Sequence, residues 1–358
     1  MQRRSVLRWI GLGFGTLVVG AMAFLLLAPV PFEPAPWDPP EAPLASGPYQ
    51  ENYALEPAQR VALPASKGTE DIDVDAEDRV IVGLNDGSIR RQSPEGSWEL
   101  WTHTGGRPLG MAFDDSGNLV VADAQRGLLL VDEEGNIETL ATEHDGVPFG
   151  FTDDVEVGPI TGNYYFTDAS SKYAFPDYRP DLLENRPYGR LMVYDPATRE
   201  TRLLLDGLHF ANGVAVSEDE SFVLVNETWR YRVWKVMLTG PDAGQSEIFI
   251  DNLPGFPDGI SRGENVFWVA LFSPRNTAID ASSGRPWLRK MLMRMPEFLQ
   301  PKPVRFGYIL GLDPNGNVVA NLQDAGGGFA PITSVHQAGD RLYLGSLSES
   351  AYAVLEFR

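Results

Sequence analysis

Cysteine is absent from the 358-residue sequence, and basic residues are scarce beside acidic ones. The lack of cysteine excludes disulfide bonds, thiolate nucleophiles, cysteine-bound zinc and a lipid-modified N-terminal cysteine. Lysine and arginine total 29 against 49 aspartate and glutamate residues, so the formal net charge is −20. This charge disfavours nucleic acid and anionic lipid as partners of the folded domain as a whole, and it accommodates a cation more readily.

Several common catalytic signatures are also missing. The sequence contains no Gly-x-Ser-x-Gly nucleophile elbow, no phosphate-binding loop and no dinucleotide fingerprint. These absences leave no support for a serine hydrolase of that type, an NTPase or a nicotinamide-dependent enzyme.

An uncharged apolar stretch runs from Trp9 to Val30, directly after Arg3, Arg4 and Arg8. Its length suits the hydrocarbon core of a bilayer, and the preceding arginines indicate a cytoplasmic N-terminus. The sequence therefore predicts a single-pass membrane anchor in residues 1–31, in a plasma or inner membrane, with the remaining chain outside the cytoplasm.

A cleaved signal peptide is the alternative to a retained anchor, because Ala21-Met22-Ala23 is typical of a cleavage site. The apolar residues that follow, Phe24-Leu25-Leu26-Leu27, continue the stretch and favour retention. Residues 32–58 are rich in proline and predict an extended stalk. A folded domain is expected over residues 59–358.

One hairpin pattern recurs along this domain: an alternating strand, a turn rich in Asp, Gly and Asn, and a second strand. The copies are Glu70 to Leu84, Leu109 to Asp123, Asp153 to Asp168, Asn212 to Glu227, Asp258 to Leu271 and Thr333 to Leu347. Further strand pairs lie between them, and four short strands per unit are typical of a propeller blade. We predict an all-β, six-bladed β-propeller in which residues near Arg60 to Leu63 close the last blade.

Two of the six units contain insertions, Ala169 to Tyr188 and Ser273 to Phe306. Within the second insertion, Pro286 to Leu299 predicts a short helix. Trp287, Met291 and Met295 fall on one face of this predicted helix, and Arg289, Lys290 and Arg294 lie elsewhere around it. This helix is open to two interpretations, a cap packed on the propeller or a lid or membrane-touching element.

The first strand of each blade lines the axis of a propeller, so the residues that begin these strands should meet at one end of the channel. These six residues are Glu70, Leu109, Asp153, Asn212, Asp258 and Thr333. Three carboxylates in one ring repel each other unless protons or a cation neutralise them. Carboxylate and amide oxygens without imidazole or thiolate are typical of a calcium site.

We therefore predict that Glu70, Asp153, Asn212 and Asp258 bind Ca²⁺ or another divalent cation. The alternative is that these residues begin strands simply as turn residues that bond backbone amides. The candidate general bases are Asp258, Asp153 and His336, with Asp154 in a supporting role. His209 and Arg107 are weaker candidates; a rim arginine at 107 could attract an anionic group.

Five segments carry a family resemblance. They are Arg107-Pro108-Leu109-Gly110, Phe166 to Tyr173, Gly189 to Pro196, Phe210 to Val214 and Asn252 to Asp258. These motifs resemble the strictosidine synthase-like family, from about Glu70 to the C-terminus, and within it the adipocyte plasma-membrane-associated type, which also begins with a membrane anchor. The wider clan includes paraoxonases and gluconolactonases, which are six-bladed propellers with axial calcium.

The resemblance implies metal ligands at Glu70, Asn212 and Asp258, and it aligns Asp153-Asp154 with a usual Asn-Asp pair. Three other positions depart from the clan. Gly259 stands where paraoxonases have a further Asn ligand, Leu109 where they have a catalytic His, and Thr333 where strictosidine synthase has its catalytic Glu. The resemblance thus implies the fold and the metal, but neither the paraoxonase dyad nor the strictosidine condensation.

Two functions of different class are consistent with the sequence. In the first, a calcium-dependent hydrolase of lactones or aryl esters, the metal polarises the carbonyl and Asp258 or Asp153 acts as general base. In the second, the cation is structural and the propeller is a non-catalytic binding platform. An open coordination position and a lined pocket at the ring would favour the hydrolase. The natural substrate and the oligomeric state are not determined by the sequence.

Overall fold

Six four-stranded antiparallel sheets make up most of the protein. The computed structural model describes residues 2–64 and 66–357, and among these the side chains of 2–8, 10, 11 and 297 are not described. The chain divides into a propeller unit (residues 40–178, 187–275 and 303–358) and a helical unit (residues 1–39, 179–186 and 276–302).

The six sheets follow one another along the chain and are numbered here as blades 1 to 6. Their strands are, for blade 1, Ile72–Val74, Val80–Gly83, Ser88–Gln92 and Trp98–His103; for blade 2, Pro108–Phe113, Leu119–Asp123, Gly127–Val131 and Ile137–Ala141; for blade 3, Thr152–Val157, Tyr164–Asp168, Gly189–Asp195 and Glu200–Leu208; for blade 4, Ala211–Val216, Phe222–Glu227, Arg232–Met237 and Ser246–Ile250; for blade 5, Gly255–Gly263, Val266–Pro274, Gly307–Leu312 and Val318–Asp324; and for blade 6, Val335–Ala338, Arg341–Leu344, Ala351–Glu356 and Gln59–Ala62. A two-stranded ribbon, Glu143–His144 with Val147–Pro148, leads into blade 3. This architecture confirms the predicted six-bladed propeller.

The ring is closed by the two ends of the chain. Gln59–Ala62 pairs antiparallel with Ala351–Glu356, with Gln59 opposite Val354 and Ala62 opposite Ala351. The N-terminal strand thereby supplies the outer strand of blade 6, as the incomplete last repeat predicts.

Apolar side chains fill the space between neighbouring blades. Between blades 2 and 3, for example, Val120, Phe166 and Met192 belong to one cluster and are fully buried. Because each sheet packs on both faces, middle strands such as Val80–Gly83 are buried throughout. The short turns of the hairpins are held by aspartates: Asp114 Oδ1, for instance, accepts from the backbone N–H groups of residues 116 and 118.

The helical unit contains α1 (Gln2–Leu27), α2 (Tyr178–Glu184), α3 (Thr277–Ser283) and α4 (Pro286–Arg294), followed by a 3₁₀ turn at Glu297–Leu299. Two further 3₁₀ turns, Gly47–Tyr49 and Thr228–Arg230, lie in the propeller unit. Helix α1 covers most of the predicted anchor, but no helix among the described residues is long and apolar enough to cross a membrane. The side chains of Arg3, Arg4 and Arg8 lie outside the described part of the chain.

The predicted short helix is present as α4, and the structure decides which of its side chains are buried. Arg289 is 2% exposed, whereas Trp287, on the predicted apolar face, is 57% exposed. Arg289 donates to the carbonyl oxygens of Leu182 and Leu183, where the last carbonyls of α2 have no partner within their own helix. Satisfying these carbonyls rotates α4 so that Leu292, not Trp287, faces the interior of the helical unit.

The proline-rich segment is bonded to this unit over part of its length. The backbone N–H groups of Ala35 and Trp37 donate to the carbonyl oxygens of Glu184 and Ser283, at 2.8 and 3.0 Å. The backbone N–H of Glu33 donates to a carboxylate oxygen of Glu184 at 3.0 Å. Residues 33–37 are therefore held to the helical unit by hydrogen bonds, although they belong to neither a helix nor a strand.

Candidate metal centre and active site

The predicted ring residues lie in neighbouring blades that are joined by hydrogen bonds. The Asn212 side-chain amide donates to Asp258 Oδ1 at 2.6 Å, which links blades 4 and 5. The Gly259 backbone N–H donates to the Thr333 carbonyl oxygen at 2.8 Å, and Thr333 Oγ1 donates to the Glu70 carbonyl oxygen at 2.7 Å. These bonds connect blades 4, 5, 6 and 1 in order at one end of the channel.

The four predicted metal ligands are buried. Glu70, Asp153, Asn212 and Asp258 are between 3 and 9% exposed. Burial raises the pKa of Glu70 and of Asp153 well above their usual range, and the neighbouring ring carboxylates raise both further. Burial also raises the pKa of Asp258 to about 8, although the hydrogen bond from Asn212 lowers it. The three carboxyl groups thus lie close enough to resist ionisation together without a cation.

Two of the ring oxygens accept no hydrogen bond. Glu70 Oε2 and Asp153 Oδ2 are both inaccessible to solvent and have no partner among the described residues. A buried carboxylate oxygen without a partner is costly unless a proton or a metal ion occupies it. The free oxygens and the charge of the ring therefore fit a hard divalent cation held by Glu70, Asp153, Asn212 and Asp258.

The ring fits a metal ion in the chemistry of its donor atoms, and not in their present positions. In the described part of the chain, no group of three or more histidine, aspartate and glutamate side chains forms a ready metal-binding cluster. One reason is visible at Asp258, where Oδ1 accepts the hydrogen bond from Asn212. Turning the Asn212 amide so that its oxygen faced the ring would release Asp258 Oδ1 and add a neutral ligand.

Arg107 is an internal cation beside this ring, which the sequence did not predict. The sequence places Arg107 at the rim in an exposed or paired role, and its side chain is 2% exposed. The guanidinium donates to the carbonyl oxygens of Gly68 at 2.7 Å and Pro108 at 3.2 Å. Its charge lowers the pKa of Glu70, against the larger effect of burial. Arg107 therefore offsets part of the negative charge of the ring.

A cavity of about 540 Å³ extends from the ring along the channel. Its wall contains Glu70, Asp153 and Asn212 at the ring and a second layer of acidic residues beyond them: Asp71, Asp73, Asp154 and Glu156. Asp71 and Asp154 accept backbone N–H groups of the next blade, from Met111 at 3.1 Å and Val214 at 2.8 Å. Asp154, predicted to support a base, thus joins blades 3 and 4.

His336 lies in the same cavity but not at the ring. Its Nε2 is 3.6 Å from Asp73 Oδ1. His336 follows the ring residue Thr333 by three positions, which is about 10 Å along a strand. Of the three predicted bases, Asp153 and Asp258 belong to the ring, and His336 belongs to the second layer.

Three buried acids that end the second strands of their blades were missed by sequence reasoning. Asp123, Asp168 and Glu227 are fully buried. Their carboxylates accept from the backbone N–H groups of Arg107, Phe151 and His209, respectively, at 2.8 to 2.9 Å. Each accepting bond fixes the residue two or three positions before a ring residue. The signal was present, since an acid ends the hairpin copy in these three units.

His209 also has a structural role. Its Nδ1 lies 2.7 Å from a carboxylate oxygen of Glu227, whose other oxygen accepts from Arg232 and Trp234. Burial lowers the pKa of His209, so the imidazole favours the neutral form. The hydrogen bonds from His209 and Arg232 outweigh burial and lower the pKa of Glu227 to about 2.

The three departures from the clan are also explained by packing. Leu109 and Thr333 are buried at the ring, at 1 and 0% exposure, and contribute no acid or base. A Cβ atom on Gly259 would lie 2.6 Å from the Thr333 carbonyl oxygen, which leaves no room for a side chain. The extra amide ligand of the paraoxonases therefore does not fit at this position.

Two family models and several curated relatives match this chain. The family model described as strictosidine synthase matches residues 153–241, and the model described as strictosidine synthase-like, N-terminal, matches residues 47–92. The protein STRICTOSIDINE SYNTHASE-LIKE 4 of Arabidopsis thaliana is 37% identical over 86% of this chain and 84% of its own length. The human adipocyte plasma membrane-associated protein is 34% identical over 92% of this chain and 85% of its own length.

Solved structures show the same fold at much lower identity. A gluconolactonase of Xanthomonas campestris is 17% identical, with a TM-score of 0.62 over 93% of this chain and 99% of that one. Regucalcin of Agrobacterium tumefaciens, a calcium-binding protein, is 15% identical, with a TM-score of 0.58 over 84% and 95%. The family is shown by the relatives that are 34 to 37% identical over most of both chains. This chain belongs to the strictosidine synthase-like proteins.

Proposed function

We propose that this protein is a membrane-attached, calcium-dependent hydrolase of lactones or aryl esters. The observation that carries the proposal is a ring of three buried carboxylates and one amide, in which Glu70, Asp153 and Asn212 line a cavity and two carboxylate oxygens have no partner among the described residues. A site that had only a structural role would have its oxygens satisfied by the protein itself.

Glu70, Asp153, Asn212 and Asp258 would hold the ion, and Ca²⁺ bound there would polarise an ester carbonyl and stabilise developing negative charge. The chain itself supplies the base. Without a bound ion, burial raises the pKa of Asp258 to about 8, and a cation beside it would lower that pKa and favour the ionised form that a general base requires near neutral pH. Asp153, whose Oδ2 has no partner, is the second candidate.

His336 has a different part in this proposal. It faces Asp73 in the second layer, about three residues along the channel wall from the ring. From there it would receive a proton from the cavity rather than contact the ester. A variant such as His336→Gln should therefore slow turnover less than Asp258→Asn.

The comparisons support the proposal only in general terms. The Xanthomonas campestris structure is named as a gluconolactonase, and the Agrobacterium tumefaciens structure as a calcium-binding protein. At 15 to 17% identity these likenesses concern the fold. Lactone or ester hydrolysis and calcium are therefore our inference for this chain.

Membrane attachment is part of the same proposal. Helix α1 exposes large apolar side chains along its length, among them Phe14, Leu17 and Phe24. The name of the human relative, adipocyte plasma membrane-associated protein, supports the same location. We infer a retained N-terminal anchor in residues 1–31, a cytoplasmic N-terminus and an extracytoplasmic propeller. The full-length protein should sediment with membranes and resist extraction by carbonate; recovery of a mature N-terminus at Phe24 would contradict retention.

A non-catalytic binding platform is the second candidate, favoured by one observation. Leu109 and Thr333 are buried apolar or neutral residues where related enzymes place catalytic groups. If Glu70, Asp153 and Asp258 only hold a cation, none of the ring carboxylates among the described residues is left to act as a base.

Hydrolysis assays on the full-length protein separate the two candidates. We expect turnover of uncharged aryl esters or lactones with calcium present, and its loss on chelation. Asp258→Asn should reduce kcat strongly, while the exposed turn variant Asp313→Asn should behave as the parent protein. Equal turnover in Asp258→Asn and the parent, or none in the parent across such a panel, would favour the binding platform.

A further inference from the structure

One segment of the helical unit differs in charge from the rest of the chain. Residues 285–302 contain five basic residues and one acidic residue, in a protein whose net charge is −20. The segment comprises α4 and the 3₁₀ turn that follows it. Arg289 is buried and Lys290 pairs with Glu33 at 2.9 Å. Arg285 and Lys302, however, are exposed and give the outer part of this segment a charge opposite in sign to that of the protein as a whole, which suits an anionic partner.

The same segment exposes large apolar side chains, which we call the α4 surface. Trp287 is 57%, Phe298 76% and Leu299 56% exposed. Arg285 and Lys302 are also exposed. Trp and Phe beside basic residues are the composition of helices that lie in the interface between a membrane and water.

The exposed side chains do not result from a loosely held helix. On its other side, α4 buries Leu292 against Phe32 and Leu183. Arg289 is fixed by its bonds to the end of α2 and by a further bond to Ser283 Oγ at 2.5 Å. The helix therefore has one satisfied, packed side, and the α4 surface is what remains outside it.

This surface also lies in the same unit as the end of α1. Arg294, the last residue of α4, donates to the carbonyl oxygen of Leu25 at 2.7 Å. That carbonyl belongs to the final turn of α1, where Leu26 and Leu27 are 50 and 79% exposed. The bond caps the helix end with a cation. It also holds α4 at the point where the proposed anchor ends.

We propose that the α4 surface is a second membrane contact, which lies on an anionic bilayer next to the anchor. Trp287, Phe298 and Leu299 enter the interface between headgroups and acyl chains, and Arg285 and Lys302 contact the headgroups. This contact goes beyond the hydrolase proposal and rests on only one part of it, the attachment of α1.

Environment-sensitive labelling tests the contact, because the chain has no cysteine and any introduced thiol is unique. Three variants of the full-length protein carry the label at Phe298→Cys, at Phe14→Cys in α1, and at Val319→Cys, an equally apolar, 60% exposed site in blade 5. Each is reconstituted in vesicles of phosphatidylcholine with or without phosphatidylglycerol. Quenching is then measured with spin-labelled lipid and with aqueous iodide.

The proposal predicts severalfold stronger lipid quenching at 298 than at 319, and weaker quenching at 298 when phosphatidylglycerol is left out. Lipid quenching at 14 but not at 298 would overturn the proposal and leave the anchor intact. Lipid quenching at 298 but not at 14 would retain the contact and refute the anchor. A label at 298 that is shielded from both quenchers would assign the α4 surface to a protein partner or a second copy, which would also overturn the proposal.

Discussion

Replacing Asp153 with asparagine should stabilise the metal-free protein, which is the opposite of the usual effect of changing a buried polar residue. Asp153 is 3% exposed and its Oδ2 has no partner. Its pKa is raised first by burial and then by Glu70 and Asp258. Asparagine keeps the shape, removes one acid from the ring and offers an N–H donor to the remaining carboxylates.

The size of the effect follows from Coulomb's law. Two unit charges about 5 Å apart repel by roughly 3 kcal/mol at an effective dielectric constant of about 20. Protons already neutralise part of the ring near pH 7, because the pKa values of Glu70, Asp153 and Asp258 are all raised. We therefore expect a net gain of about 1–2 kcal/mol. For a domain of this size that corresponds to a rise in Tm of about 2–3 °C.

Calorimetry of the chelator-treated protein, with and without calcium, measures both consequences. Calcium should raise the Tm of the parent protein, because a ligand that binds only the folded state stabilises it. The rise should be smaller in Asp153→Asn, which has lost a charged ligand. Asp206→Asn, at an exposed position in the outer strand of blade 3, is the matched control. A lower Tm for metal-free Asp153→Asn, together with an unchanged calcium response, would refute the repulsive ring.

Three further predictions concern the second layer and the supports of the ring. Burial raises the pKa of Glu156 to about 7, so the contribution of protonated Glu156 to the free energy of unfolding is complete below about pH 4.5 and is lost as the pH rises through 7. In urea titrations at several pH values, the free energy of unfolding of Glu156→Gln should therefore exceed that of the parent by up to about 2 kcal/mol at pH 8. A difference that does not change with pH would contradict this. The fully buried Asp168 accepts a hydrogen bond from Arg190 at 2.6 Å. Asp168→Asn leaves Arg190 without its counter-ion and should lower the free energy of unfolding in urea by about 3 kcal/mol. A decrease of less than about 1 kcal/mol would contradict this role of the ion pair. Gly259→Ala forces a Cβ atom to within 2.6 Å of a backbone carbonyl and should lower the Tm by several degrees, at a cost of about 1–3 kcal/mol; an unchanged Tm would mean that this contact relaxes freely.

Sequence reasoning reached the fold because the evidence for it is local and repeated. Each hairpin pairs an alternating strand with a turn whose aspartate bonds nearby backbone amides, as Asp114 does. Such a signal survives in every copy, and aligning the copies by alternation placed Glu70, Asp153, Asn212 and Asp258 at equivalent positions. Closure of blade 6 by Gln59–Ala62 followed from counting strands.

The failures occurred where tertiary contacts override local pattern. The periodicity of α4 predicted an apolar face with Trp287 and left open whether that face packs; three side-chain hydrogen bonds of Arg289 fix which side of the helix is buried. Arg107 was expected at the rim, exposed or paired, because nothing local indicates that two backbone carbonyls and a buried carboxylate surround it. His336 was a candidate base by residue type alone, and only the structure places it 3.6 Å from Asp73 in the second layer.

Calcium titration of the full-length, chelator-treated protein tests the central claim most directly. Isothermal calorimetry should show one Ca²⁺ bound per chain of the parent protein and of the Asp313→Asn control. The double variant Glu70→Gln, Asp258→Asn removes two of the three ring carboxylates and should show no binding at the same concentrations. Stoichiometric binding that persists in the double variant, or no binding by the parent protein, would contradict a calcium site at the propeller axis.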